Sequence, residues 1–227
     1  MGASLAGVRA CVFDAYGTLF DYASAAARCS DVLGDKAAPL TALWRSKQLE
    51  YTWLRSLQGR YADFSQVTAE ALDFALAVHR LGEPALHARL MSLYDSLECF
   101  AEVPAMLARL RAAGLKTAIL SNGTAQMLAA ALAHAGIAPY FDAVLSVDEV
   151  RVYKPHPRVY QLAVDRLGVP PGAIAFQSSN GWDAYAASAF GMQVVWCNRH
   201  GQPPERLPGA PKVIIQSLAE LPALVGA

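Results

Sequence analysis

The feature that most constrains the fold is a set of short apolar runs that alternate with helical stretches. Strand-like runs occupy residues 8–13, 116–120, 143–146, 173–177, 193–197 and 212–215, and helical stretches occupy residues 125–135, 157–167, 182–190 and 218–225. Strands that alternate with helices in this way are typical of a parallel sheet covered on both faces. The sequence therefore predicts a doubly wound, Rossmann-like α/β fold.

The pattern changes between residues 21 and 99, where no strand is indicated and helical periodicity dominates. The spacing predicts one long amphipathic helix over residues 40–57 and further helices over residues 67–81 and 85–97. We expect this helical cap, residues 21–98, to be inserted after the first strand of a core domain formed by residues 1–20 and 99–227. Hinges are predicted near residues 20–21 and 100–104. Such a cap would cover the carboxyl edge of the sheet and exclude water from it.

Composition excludes several classes of partner. Nineteen basic residues balance nineteen acidic ones, and neither sign forms a block, so nucleic acid and anionic membranes are poor candidates. No apolar stretch is long enough to cross a bilayer, and no signal-peptide pattern opens the chain. The four cysteines show no metal-ligand spacing and are typical of reduced thiols. We expect a soluble, cytoplasmic protein.

The first strand ends in a carboxylate, Asp14, followed by Gly17 and Thr18. Open α/β sheets place their chemistry at such strand ends, and this carboxylate can serve as a nucleophile, a metal ligand or a general base. Enzymes that transfer phosphoryl groups through such an aspartate usually carry a second aspartate two positions later as a general acid. Tyr16 stands there instead, and its unperturbed pKa of about 10 makes it a much weaker acid. This position therefore favours a leaving group that needs no proton, such as halide.

Three further motifs follow the later strands: Ser121-Asn122-Gly123, a lysine at position 154 before a helix, and a polar turn ending in Asp183. Aspartate, serine, lysine and aspartate in this order, at strand ends, resemble the haloacid dehalogenase superfamily. Within it, the chain most resembles the L-2-haloacid dehalogenases. The strings that carry this resemblance are FDAYGTLFD (13–21), LWRSKQLEYTWLRSLQGRYADF (43–64), ILSNG (119–123), VYKP (152–155) and SSNGWDA (178–184).

The resemblance implies a sheet order of 3-2-1-4-5 and a mechanism. Asp14 would attack Cα of a short L-2-haloalkanoic acid, expel halide and form a covalent ester, whose hydrolysis gives the D-2-hydroxy acid with inversion. Thr18, Ser178 and Lys154 would hold the Asp14 carboxylate. Asp183, with Asn180 and Lys154, would position the hydrolytic water. The implied partners are the haloacid substrate and halide, and the implied assembly is a homodimer.

The same resemblance assigns the substrate contacts. Ser121 and the backbone N–H groups of Ala15 and Tyr16 would bind the substrate carboxylate. A halide pocket would be formed by Arg45, Asn122 and Phe64, because a guanidinium stabilises a departing anion without giving up a proton. Tyr16, Leu49, Tyr160 and Trp182 would line the apolar part of the pocket.

Several alternatives stay open at this point. Relatives that require magnesium carry an acidic residue near position 179, where this chain has Ser179. Asp14 and Asp183 alone provide too few oxygen ligands for a hard cation, so we expect neither metal nor cofactor. The rival functions are a phosphatase of the same superfamily, a relative that acts on fluoroacetate, and a catalytically silent binding module. Taken alone, Arg45 is typical of a solvated helix residue.

Overall fold

The computed structural model describes residues 4–227. Its strands are β1 (Ala10–Phe13), β2 (Phe20–Asp21), β3 (Glu98–Cys99), β4 (Lys116–Ser121), β5 (Ala143–Ser146), β6 (Ile174–Ser178), β7 (Gln193–Cys197) and β8 (Val213–Ile215). Its helices are α1 (Ser24–Ala27), α2 (Ser30–Leu33), α3 (Ala37–Leu57), α4 (Phe64–His79), α5 (Pro84–Tyr94), α6 (Val103–Ala112), α7 (Ala125–Ala135), α8 (Pro157–Leu167), α9 (Gly181–Phe190) and α10 (Leu221–Leu224).

Six strands form one parallel sheet in the order β5-β4-β1-β6-β7-β8. The predicted doubly wound α/β fold and the order 3-2-1-4-5 are confirmed, with a sixth strand added at one edge. Strand β1 lies at the centre because all four of its residues are apolar and fully buried, and it pairs with β4 on one side and β6 on the other. Such continuous hydrophobic runs are typical of strands covered on both faces.

The helical insertion α1–α5 follows the first strand, as predicted. The chain enters it through β2 and leaves it through β3, and these two strands pair antiparallel with Phe20 opposite Cys99. Helix α4 begins at Phe64, earlier than the predicted residue 67, because the Asp63 side chain caps it by accepting the Gln66 N–H at 2.9 Å. No helix within residues 4–227 is both long and apolar enough to span a membrane.

Further helix predictions were wrong in their bounds, and α3 begins at Ala37 rather than at residue 40. Helix α5 ends at Tyr94 rather than at residue 97, because the chain turns there towards β3. The helix predicted over residues 218–225 is a turn of 3-10 helix at Leu218–Glu220 followed by the single-turn helix α10. Its capping box closes the start of this segment, where the Ser217 side chain and the Glu220 carboxylate satisfy backbone N–H groups reciprocally.

The loop after β1 is shaped by Gly17, which has a φ of +89°. The N–H of Gly17 donates to the Phe20 carbonyl at 2.7 Å, while the Ala15 carbonyl accepts the Thr18 N–H at 3.2 Å. The N–H of Asp14 donates to the Gln177 carbonyl of β6 at 2.9 Å. Asp14 is therefore anchored at the carboxyl edge of the sheet, and its side chain faces the ends of the neighbouring strands.

Candidate active site

Asp14, which is 6% exposed, is surrounded by donors from three segments of the chain. Its Oδ2 accepts from Asn180 Nδ2 at 2.8 Å, Thr18 Oγ1 at 3.0 Å and Ser178 Oγ at 3.4 Å. Its Oδ1 accepts from Lys154 Nζ at 3.1 Å. The structure thus brings together at the Asp14 carboxylate four residues that the sequence predicted to act with it.

The two hydroxyls in this set are themselves oriented by backbone groups. Thr18 Oγ1 accepts the N–H of Ser179 at 2.8 Å, and Ser178 Oγ accepts the N–H of Asn180 at 3.1 Å. Because each oxygen is already an acceptor, each hydroxyl proton is available to the Asp14 carboxylate. The contact from Thr18 is the stronger of the two, since 3.4 Å is long for a bond between oxygens.

Lys154 links the two aspartates of the site. Its Nζ lies 3.1 Å from Asp14 Oδ1 and 2.8 Å from Asp183 Oδ2, and its side chain is 1% exposed. Burial disfavours the ammonium, but the two carboxylates outweigh burial and raise the pKa of Lys154 above its usual value. Its backbone N–H donates to Asn122 Oδ1 at 3.1 Å, so the amide nitrogen of Asn122 stays available to another ligand.

Asp183 is fully buried and has a second partner, Tyr160, whose hydroxyl donates to Oδ1 at 2.7 Å. Burial raises the pKa of Asp183, and the charge of Asp14 adds to this effect while Lys154 and Tyr160 oppose it. Burial and Asp183 also raise the pKa of Tyr160 well above its usual value, which keeps its hydroxyl a donor. The sequence predicted Tyr160 only as an apolar wall and missed this polar contact.

Arg45 reaches the core from the cap helix α3. Its Nη1 donates to Gln48 Oε1 at 2.7 Å, and its Nη2 donates to Asn180 Oδ1 at 3.3 Å. Asn180 in turn donates to Asp14, so the guanidinium is two hydrogen bonds from the carboxylate. Sequence reasoning missed Gln48, although a glutamine on the apolar face of α3 was a signal for a buried polar contact.

An aromatic cluster stands beside the loop after β1. The ring of Tyr16 lies 5.7 Å from that of Phe64 and 5.4 Å from that of Tyr94, between ring centroids. Burial, followed by nearby charges, raises the pKa of Tyr16 well above its usual value, so its phenol stays neutral. A Cβ at Gly123 would lie 2.8 Å from the Tyr16 ring, which explains why the turn after β4 carries glycine.

Ser121 ends β4 and is fully buried. Its Oγ accepts the N–H of Gly123 at 3.0 Å, which leaves its hydroxyl proton free to donate. The structure places Ala15, also fully buried, directly after Asp14 at the neighbouring strand end. The predicted carboxylate-binding residues therefore lie at adjacent strand ends, β1 and β4.

The predicted apolar wall is divided between two places. A cavity of about 820 Å3 lies between α3 and the core, and its lining includes Trp53, Lys154, Tyr160 and Trp182. Trp53 packs edge-to-face on Trp182, with ring centroids 5.5 Å apart. Tyr16 and the half-buried Leu49 lie outside this lining. The structure therefore does not gather all of the predicted wall residues into one pocket.

The donor set does not fit a resident divalent cation. Within residues 4–227, no group of three or more His, Cys, Asp or Glu side chains is placed so that it could hold a metal ion. The two carboxylates that do meet, Asp14 and Asp183, share the ammonium of Lys154. A hard dication prefers several oxygen ligands, and here a positive charge already lies between the two available carboxylates.

The chain belongs to the haloacid dehalogenase-like hydrolase family, whose model matches residues 8–191, and within it to the (S)-2-haloacid dehalogenases. It is 48% identical over 219 residues to (S)-2-haloacid dehalogenase 1 of Pseudomonas sp. strain CBS-3, which covers 96% of each chain. It is also 48% identical over 215 residues to (S)-2-haloacid dehalogenase 4A of Burkholderia cepacia, which covers 94% of this chain and 93% of the relative.

A solved structure gives the same assignment. The L-2-haloacid dehalogenase from Xanthobacter autotrophicus, with chloropropionic acid covalently bound, superposes with a TM-score of 0.89 at 40% identity. The match covers 96% of this chain and 98% of that one. The resemblance predicted from the five sequence strings is thus confirmed over nearly the whole chain.

Proposed function

We propose that this protein is an (S)-2-haloacid dehalogenase that hydrolyses short L-2-haloalkanoic acids to D-2-hydroxy acids with inversion. The observation that carries the proposal is the Asp14 carboxylate, which is buried at a strand end and bonded to Lys154, Thr18 and Asn180. The neutral phenol of Tyr16 argues against the phosphatase alternative, because it replaces the expected acid for an alcohol leaving group.

The two oxygens of Asp14 have different surroundings, and this difference selects the nucleophile. Oδ2 accepts three hydrogen bonds, which fill its lone-pair positions, whereas Oδ1 accepts only that of Lys154. Oδ1 therefore attacks Cα from the side opposite the halogen. The new Oδ1–Cα bond forms as the carbon–halogen bond breaks, and the halogen leaves with the bonding electron pair.

The departing halide and the substrate carboxylate need separate contacts. The Arg45 guanidinium, Asn122 Nδ2 and the edge of Phe64 form the halide pocket, because charge develops on the halogen only as the bond breaks. Ser121 Oγ and the N–H groups of Ala15 and Tyr16 bind the substrate carboxylate. The hydroxyl of Ser121, which has its proton free, supports this assignment.

Water then attacks the ester carbonyl carbon of Asp14. The bond between that carbon and Oδ1 breaks, and Oδ1 leaves with the product as its hydroxyl after taking one proton of the water. The water oxygen becomes part of the regenerated Asp14 carboxylate, and the second proton is released to solvent. Asp183, with Asn180 and Lys154, orients the water. Burial raises the pKa of Asp183 above its usual value, and its carboxyl is held in place for this role by Lys154 and Tyr160. The reaction needs no metal, since Lys154 supplies the positive charge between the carboxylates.

We further propose a cytoplasmic homodimer with no nucleic-acid or membrane partner. The outer face of the cap supports the dimer, because Leu54 on α3 and Phe74 and Val78 on α4 are exposed apolar residues. All four cysteines are free, which is typical of a reducing compartment. The balanced charge supports a small-molecule substrate.

A single turnover in ¹⁸O water tests the function and the covalent step together. With enzyme in excess over L-2-chloropropionate, the product should carry ordinary oxygen at C2, and the heavy atom should appear in the peptide that contains Asp14. The Asp14→Asn variant should release no halide. A heavy product hydroxyl in the first turnover, with an unlabelled Asp14 peptide, would mean that water attacks Cα directly. A phosphate monoester with magnesium is the control substrate for the phosphatase alternative.

A further inference from the structure

A buried glutamine on the cap, Gln48, is placed so that it can orient the guanidinium of Arg45. Gln48 is 1% exposed, lies one helical turn after Arg45 on α3, and accepts Arg45 Nη1 at 2.7 Å through Oε1. We infer that Gln48 is a positioning residue that aims the guanidinium at the departing halide and leaves its positive charge uncompensated. This inference rests on the proposed function.

The hydrogen-bond network allows only one orientation of the Gln48 amide. Thr68 Oγ1 gives its single proton to the Phe64 carbonyl at 2.6 Å, so towards Gln48 it can only accept. Gln48 Nε2 fills this role at 2.7 Å and lies 3.2 Å from the Tyr94 hydroxyl. The amide nitrogen therefore faces α4 and α5, and the carbonyl oxygen must face Arg45. A flipped amide would place two acceptors against each other.

The groups that accept hydrogen bonds from Arg45 are neutral, so they do not compensate its positive charge. Within residues 4–227, no carboxylate forms an ion pair with Arg45, and its two hydrogen-bond acceptors are the amide oxygens of Gln48 and Asn180. Its guanidinium also lies 5.0 Å from the centre of the Tyr22 ring. Arg199 differs, because Glu102 neutralises it at 2.7 Å. Arg45 is thus oriented by groups that leave its charge available to an anion.

The alignment extends across the boundary between cap and core. Asn180 accepts from Arg45 through Oδ1 and donates to Asp14 Oδ2 through Nδ2. Arg45 is therefore held on one side by Gln48 of the cap and on the other by a residue that also holds the nucleophile. These two contacts fix where the guanidinium lies relative to Asp14, and a carbon–halogen bond that breaks between them depends on that alignment.

The test compares two leaving groups in the Gln48→Met variant, which keeps side-chain length and removes the amide. Single-turnover halide release is measured with L-2-chloropropionate and L-2-bromopropionate. Chloride is the poorer leaving group and depends more on electrophilic assistance. We expect a loss of about tenfold with chloride and about threefold with bromide, and little change in substrate affinity. Thr68→Val removes the acceptor that orients the amide, together with the hydrogen bond from Thr68 to the Phe64 carbonyl, and should shift the ratio in the same direction by less.

Matched variants separate the effect of orienting Arg45 from the effect of destabilising the cap. Gln66→Met changes an exposed glutamine of the cap, and Leu33→Ala truncates a buried side chain of α2, which contributes no residue to the network; both should keep the wild-type ratio of chloride to bromide rates. Gln48→Glu keeps the acceptor but cancels the charge, so it should slow both substrates. If wild type releases no halide, the proposed function fails and this inference fails with it. If wild type is active and the Gln48→Met and Thr68→Val ratios equal its own, or Gln48→Glu keeps its rate, only the role of Gln48 is overturned.

Discussion

Replacing Lys154 with methionine should destabilise the fold strongly, because Lys154 is the cation between two buried carboxylates. At separations of 3.1 Å and 2.8 Å, its attraction to Asp14 and Asp183 amounts to about 5 and about 6 kcal/mol at an effective dielectric of 20. Desolvation of the three groups offsets most of this attraction. Removing one partner leaves the others buried without compensation, so we expect a loss of about 3–5 kcal/mol in the free energy of unfolding at neutral pH.

The loss should depend on pH in a defined direction. Because the pKa of Lys154 is raised in the folded protein, its contribution is constant below about pH 10 and is lost only above that. In the variant, the pKa of Asp183 rises further, since its main opposing charge is gone. The folded variant then keeps a proton that the unfolded chain loses above about pH 4, so its stability falls as the pH rises. The difference from wild type should therefore grow from about pH 5 to about pH 8.

Urea unfolding at both pH values measures the effect. Lys47→Met is the matched control, because Lys47 pairs with Glu50 at the same 2.8 Å but on the surface, where the two side chains are 23% and 43% exposed. We expect it to cost less than about 1 kcal/mol with no growth across this pH range. A Lys154→Met variant that loses no more than Lys47→Met, or whose loss is independent of pH, would refute the reasoning from buried charges.

Three further outcomes are expected from the site. Arg45→Lys should lower the single-turnover rate by about 10- to 100-fold and affect substrate affinity less, because an ammonium cannot reach Gln48 and Asn180 with a planar fork; a change confined to affinity would make Arg45 a substrate-carboxylate binder. Dialysis against EDTA should leave halide release intact, and a requirement for added magnesium would contradict the metal-free proposal. Tyr160→Phe removes a hydrogen bond that lowers the pKa of Asp183. The acidic limb of the pH profile for ester hydrolysis should therefore move to higher pH. An unchanged limb would mean that Asp183 does not take part in ester hydrolysis.

The fold was predictable because its strongest signals are local. Strand β1 is an uninterrupted buried run, and parallel strands covered on both faces must read this way. The end of α5 was less predictable. Leu97 is fully buried and fits helical spacing, yet it follows the turn at residues 95–96 and leads directly into β3. Periodicity reports which side chains are buried, and it does not distinguish a helix from a turn over three residues.

In the candidate site, too, one part could be predicted from the sequence and another part could not. Asp14, Lys154 and Asp183 meet because residues that follow parallel strands share one edge of the sheet, which is a consequence of topology. The network around Gln48 depends instead on side chains from three separate cap helices, and no strand rule brings them together. Its single trace in the sequence is a polar residue in register with buried Leu40 and Trp44 on α3. That trace predicts burial without identifying the partner.

The β2–β3 pair has a consequence for how this architecture varies. Phe20 and Asp21 lie directly opposite Cys99 and Glu98, at the Cα separation of about 5 Å found in antiparallel pairs. Residues 22–97 thus occupy the place of a hairpin loop, and a loop in that place does not set the register of the parallel sheet. The insertion is therefore a module that can be lengthened, shortened or exchanged while β1 still delivers Asp14 to the same point. A different cap would change the residues that contact the leaving anion opposite Asp14. The position of the Asp14 carboxylate itself would stay the same.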